Sequence, residues 1–170
     1  MACAVRGYKL MLCMSEAMSE ERKKILAALG AKLVLTPKEL HTKGAKARVL
    51  ELHQEIPDSY YIRQHDNPDN IRAHLSGTAE ELWQQTDGQI AVFVAGLGTC
   101  GTLSGVSEAL HQKGADVHIV GVEPAEAPFF RTGHFQAHSI PGIVPGFMPQ
   151  NYNSKLVDEM VDVPANVAWS

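Results

Sequence analysis

Ile90-Ala91-Val92-Phe93-Val94-Ala95-Gly96-Leu97-Gly98-Thr99-Cys100-Gly101-Thr102-Leu103-Ser104-Gly105 is the stretch on which the fold turns. The run Ile90 to Ala95 reads as a buried strand, and the residues after Gly101 carry a helical pattern that ends near Lys113. Between them the glycines let the backbone approach a ligand closely. The free N–H groups at the start of the helix point at negative charge. Thr99, Thr102 and Ser104 set hydroxyl donors on the same turn. Strand, glycine turn and helix in that order predict a phosphate site.

The same residues satisfy G-x-G-x-x-G, and Glu123 ends the next strand about 20 residues further on, as in the dinucleotide template. Two features count against that template. The turn lies deep in the chain after several strand–helix units, and its Thr-Cys-Gly-Thr centre suits a compact phosphate monoester better than a pyrophosphate. A tight turn with no ligand is the bland alternative, against which stand three glycines and three hydroxyls.

Outward from the turn, short apolar runs alternate with helical patterns. Strands are predicted at Tyr8–Met14, Lys32–Thr36, Ser59–Ile62, Ile90–Ala95 and Val117–Val122, with a last short element over Val157–Val163. Ser19 is a candidate N-cap, with Glu20 and Glu21 in the first turn, Ile25, Leu26 and Leu29 as an apolar stripe, and Gly30 as the stop. Further helices are predicted over about Thr42–Glu55 and Ile71–Thr86. Arg63 to Asn70 reads as loop, as does Glu123 to Asn153. Ala2 to Gly7 reads as the last turn of a helix with its glycine stop. The alternation predicts an α/β fold, parallel sheets flanked by helices. A change of domain is expected near residue 63, dividing the chain into 1–62 and 63–170.

The 170 residues are 45% hydrophobic and 20% charged, with a formal net charge of −4, so a soluble globular chain is expected, with no basic field for nucleic acid. No apolar segment approaches the roughly 20 residues of a membrane span. Cys3, Cys13 and Cys100 are widely spaced and odd in number, which fits reduced thiols in the cytoplasm. His134-x-x-x-His138 has metal-ligand spacing but sits beside Gly133 with no third ligand in view, so no metal is expected. Asp158, Glu159 and Asp162 read as a solvated strand edge. Cys100 at a helix start is a conceivable nucleophile with a lowered pKa. No partner base stands out, and a residue lining the phosphate turn is the simpler reading.

Several segments together resemble the cysteine synthase family, of which cystathionine beta-synthase is a close relative. They are the phosphate turn, Met18–Leu26 with Gly30–Thr36, Gln64-His65-Asp66-Asn67-Pro68, Gly77–Trp83, Val120-Gly121-Val122-Glu123-Pro124 and Gly142–Pro149. The resemblance runs from about Ala4 to Val163. It implies a tryptophan-synthase-beta-like fold that binds pyridoxal 5′-phosphate (fold type II), with residues 1–62 in the smaller N-terminal domain and 63–170 in the larger, phosphate-binding one. By the same resemblance Gly98, Thr99, Cys100, Gly101 and Thr102 cup the cofactor phosphate. Gln64 lies near the carboxylate of the amino-acid substrate, and Gly142 and Ile143 belong to the loop facing it. The implied reaction is β-replacement: an activated serine, usually O-acetylserine, exchanges its leaving group for sulfide. A homodimer is implied as well.

Two positions depart from the family pattern. Cys100 stands where glycine or threonine is common, and Val144-Pro145 replaces a smaller, glycine-containing pair. The larger departure is the family's Schiff-base lysine, found in a Ser-x-Lys motif: none of the nine lysines here, Lys155 after Ser154 included, has that context. The chain therefore reads as the middle of a cysteine synthase, incomplete at both ends, not active alone and poor in stability. A catalytically dead phosphate- or partner-binding remnant and a dinucleotide-binding oxidoreductase are the other two readings.

Overall fold

A computed structural model describes all residues from Met1 to Ser170. They form two compact units, Met1–Tyr61 and Ile62–Ser170.

The first unit runs α1 (Ala2–Arg6), β1 (Met11–Ser15), α2 (Glu20–Ala28), β2 (Lys32–Thr36) and α3 (His41–Glu55). β1 and β2 pair in parallel, Met11 opposite Lys32 and Ser15 opposite Thr36. Ser19 caps α2 as its residue type suggests, its Oγ accepting from Arg22 N at 3.3 Å. The expected apolar stripe of α2 is not buried: Ile25 is 61% exposed and Leu29 38%. Helical spacing places such residues on one face, but burial needs a second layer to receive them. Ser59–Ile62 forms no strand. Asp58 and Arg63 hold positive φ at either side of it, and Tyr60 stays 80% exposed, so the aromatic and β-branched run has no ladder to join.

The second unit runs α4 (Pro68–Ala73), a π-helical turn (His74–Thr78), α5 (Ala79–Gln85), β3 (Val92–Gly96), α6 (Gly101–Gln112), β4 (His118–Pro124), α7 (Phe129–Thr132), β5 (Glu159–Val163) and α8 (Ala165–Ala168). Its sheet is parallel in the order β3-β4-β5, with Val94 opposite Val120 and Val122 opposite Val161. The last short element is thus a full member of the sheet. Helix begins at Pro68, not Ile71: Asn67 Oδ1 accepts Asp69 N at 2.9 Å and Pro68 takes the first helical position. Asn-Pro marks a helix start here because the missing N–H of proline is one the helix leaves unpaired anyway. The core gathers Leu97, Leu103, Val106, Leu110 and Ile119, each at most 1% exposed. Burying a side chain of this size contributes about 1.5–3 kcal/mol. That core clamps β3 and α6, and so fixes the turn between them.

Candidate phosphate and substrate-carboxylate site

The turn from β3 to α6 is anchored by Leu97, which is fully buried; its N–H donates to Val122 O at 3.0 Å and its carbonyl accepts from Val144 N at 2.8 Å. Cys100 is the N-cap residue of α6 and adopts the left-handed region at φ 62, ψ 7. For a side chain with a Cβ that conformation costs roughly 1–2 kcal/mol. Its thiol is buried in the core, with Sγ 3.8 Å from Gly98 O, and burial pushes its pKa up to about 12. The lowered pKa of a nucleophile at a helix start is therefore absent, because the side chain turns inward and loses water. Only the Cys100 backbone faces the turn.

The N–H groups of the turn decide what it can bind. Gly101 N donates to Thr99 Oγ1 at 3.4 Å and Ser104 N to Cys100 O at 3.0 Å. Those of Gly98, Thr99, Cys100, Thr102 and Leu103 find no acceptor in the chain. A run of unpaired amides at the positive end of a 12-residue helix is the donor array a phosphate dianion requires. Gly98 and Gly101 keep it open: a Cβ on Gly98 would stand 2.6 Å from Gly142 O, and one on Gly101 would collide with Asn70 Oδ1. The cofactor phosphate expected from the sequence fits these residues.

The hydroxyls divide differently from expectation. Thr99 Oγ1 accepts from Asn70 Nδ2 at 3.1 Å and keeps its own hydrogen to donate. Thr102 Oγ1 meets His74 Nε2 at 3.2 Å, and His74 Nδ1 meets Thr78 Oγ1 at 2.9 Å, so the π-helical turn braces the phosphate loop. Ser104, 2% exposed, donates instead to Asn151 O at 2.7 Å and is no phosphate donor. Helical rotation carries it to the buried face.

The three sequence-derived groups meet within this unit. Gly142 lies against Gly98, and Ile143 Cγ2 would stand 3.2 Å from a Cβ on Gly96. Gln64 is exposed, and its carbonyl accepts from Asn70 Nδ2 at 2.7 Å and Asn151 Nδ2 at 3.0 Å. Asn70, His74 and Asn151 bond to the residues of this candidate site and carry no motif of their own in the sequence; the Asn67 cap before Pro68 is the one local signal near Asn70, and nothing local marks the other two. Val144 is buried and takes φ 48, a left-handed conformation unusual for a β-branched residue and one that glycine enters freely. Val144 holds that conformation at a cost of about 1–3 kcal/mol.

Glu123 does not serve a ribose. Its Oε2 accepts from Phe130 N at 2.7 Å and its Oε1 from Arg131 N at 3.3 Å, and burial raises its pKa. Both oxygens are spent on the start of α7, which removes the dinucleotide reading. The acidic residues in β5 and just before it are likewise engaged: Asp158 Oδ2 accepts from Ile119 N at 2.7 Å, Glu159 pairs with His118 at 3.0 Å, and Asp162 pairs with Arg131. No three His, Cys, Asp or Glu side chains come together as a metal site, and no helix is long and apolar enough to cross a membrane.

Fold and turn together describe an α/β chain whose β3–α6 turn presents unpaired amides at a helix start, a geometry that suits a small phosphorylated ligand. The family model for pyridoxal-phosphate dependent enzymes matches residues 1–169, and the chain belongs to that family. It is 42% identical to cysteine synthase B of Campylobacter jejuni over 163 residues, which are 96% of this chain and 54% of that protein. With cysteine synthase A of Escherichia coli K12 it shares 43% identity over 176 residues, 98% of this chain and 54% of the relative. The crystal structure of cysteine synthase from Entamoeba histolytica superposes with a TM-score of 0.91 at 38% identity, covering 99% of this chain and 50% of that one. The chain spans about half the length of these relatives.

Proposed function

We propose that this chain carries the phosphate-binding and substrate-carboxylate-binding part of a cysteine synthase-type β-replacement enzyme. The overall reaction takes O-acetylserine, or a related activated serine, with sulfide to cysteine and the released leaving group. The observation that carries the reading is the run of unpaired amides at Gly98, Thr99, Cys100, Thr102 and Leu103, set beside Gly142, Ile143 and Gln64.

Pyridoxal 5′-phosphate, when bound, supplies the electron sink for chemistry at the substrate Cα. This chain's residues supply grip and orientation. The amides of the turn and the Thr99 hydroxyl hold the phosphate, and the α6 dipole favours its charge. His74 fixes the Thr102 hydroxyl. Gln64 presents a carboxamide toward the amino-acid carboxylate, while Gly142 and Ile143 close one side of the space next to Gly98 and exclude water.

The resemblance extends the reading to a homodimer in the cytoplasm, with residues 1–62 part of the smaller domain and 63–170 part of the larger. Light scattering tests the first point, a dimer having twice the 18.5 kDa of the chain. The site itself is tested by equilibrium dialysis of the chain against pyridoxal 5′-phosphate and against pyridoxal. Binding that depends on the phosphate, by about tenfold or more, supports the reading. Equal retention of both, or of neither, removes it.

A further inference from the structure

We propose that the carboxamides of Asn70 and Asn151 are positioning residues that lock the main chain at Gln64 to the phosphate turn, so that carboxylate and phosphate are read at one fixed spacing. The proposal rests on the roles given above to Gln64 and to Gly98–Thr102.

Gln64 sits in a tight turn. Arg63 holds φ 54, and its carbonyl accepts from both Asp66 N and Asn67 N at 2.8 Å. The Gln64 carbonyl has two lone pairs, and both are taken, by Asn70 Nδ2 at 2.7 Å and Asn151 Nδ2 at 3.0 Å. The second hydrogen of the Asn70 amide reaches Thr99 Oγ1 at 3.1 Å, so one NH₂ group spans the carboxylate residue and the phosphate turn. Packing of Asn70 Oδ1 against Gly101 leaves that amide no room to swing away.

Asn151 secures the same point from the other side. It is 3% exposed, its N–H donates to His65 O at 3.2 Å, and its carbonyl accepts from the buried Ser104 hydroxyl in the first turn of α6. A buried asparagine whose carboxamide bonds to the Gln64 carbonyl, and whose own main chain bonds to His65 and to the phosphate-turn helix, fixes that backbone and leaves the exposed Gln64 side chain free for ligand.

The two asparagines differ in what they touch, and that difference is the test. Asn151 reaches Gln64 but not the phosphate turn's ligand face; Asn70 reaches both. The full chain is titrated calorimetrically with two probes that share ring and phosphate: pyridoxamine 5′-phosphate, which has no carboxylate, and N-phosphopyridoxyl-L-serine, which has one. The wild-type chain is expected to prefer the serine conjugate by about tenfold. Asn151→Ala brings that preference to about twofold or less with the pyridoxamine phosphate affinity unchanged, whereas Asn70→Ala weakens both probes about fivefold or more. Should alanine at 151 unfold the loop by circular dichroism, Asn151→Asp keeps the shape and replaces the donor by an acceptor, with the same expected loss of preference. Variants at 151 that retain the full preference overturn the proposal. Equal binding of both probes by the wild-type chain overturns it and leaves the phosphate reading standing. Binding of neither overturns both.

Discussion

Met1–Tyr61 and Ile62–Ser170 are built from the same alternation of strand and helix, yet only the second has a hydrophobic core. Every buried apolar side chain from Ala79 to Val144 lies in the second unit; in the first, the buried residues are Ser15 and Thr36. The first unit pairs two strands and leaves Ile25, Leu35, Leu40 and Leu50 more than 40% exposed. The second pairs three and packs α6 across them. Local pattern suffices to form a strand or a capped helix, but rigidity comes from the layer that covers it. The proposed ligand site lies in the unit that has such a layer, which is where preorganised amides can be held in place.

The largest expected effect separates the units directly. Leu110→Ala, at a fully buried position of α6, should destabilise the chain by about 2–5 kcal/mol in urea unfolding, whereas Leu50→Ala, 44% exposed in α3, should change it by at most about 0.5 kcal/mol. Similar losses at both positions would dissolve the contrast.

A middle-sized effect lies in the thiols. Cys100, pushed up to about 12 from an ordinary 9.0, stays protonated in the folded chain where the unfolded chain ionises. Its contribution to stability is complete below pH 9.0 and disappears as pH rises toward 12. Iodoacetamide at pH 8.5 should label half-buried Cys3 well before Cys100, as read by mass spectrometry. Burial also raises Cys13, less deeply placed. Rapid labelling of Cys100 in the native chain would mean that the β3–α6 turn opens readily.

The smallest expected effect probes the local contribution in the first unit. Ser19→Ala removes the cap on Arg22 N and should cost about 1 kcal/mol, seen as a lower urea midpoint for the helical signal of that unit.

The strand–turn–helix order from Val92 to Gln112 was legible because glycine punctuation and periodicity agree there, and so was the parallel α/β class. What the sequence left open depended on distant partners. Ser59–Ile62 has strand-forming residues and no neighbouring strand to pair with. Ile25 and Leu29 have helical spacing and little cover. Cys100 and Val144 sit in left-handed conformations imposed by the packing of two loops, which no local rule for cysteine or valine suggests. Asn151 reaches Gln64 across 87 residues of chain, a distance at which no motif could signal the contact. Glu123 matched a template by spacing alone, and the amides of α7 claimed it.

The most direct measurement is an ¹H–¹⁵N correlation titration of the labelled chain with pyridoxal 5′-phosphate. We predict saturable downfield shifts concentrated at the amides of Gly98, Thr99, Cys100 and Thr102, with the first unit silent. Shifts that bypass these amides, or that pyridoxal without its phosphate reproduces, would contradict the assignment of this turn as the phosphate grip.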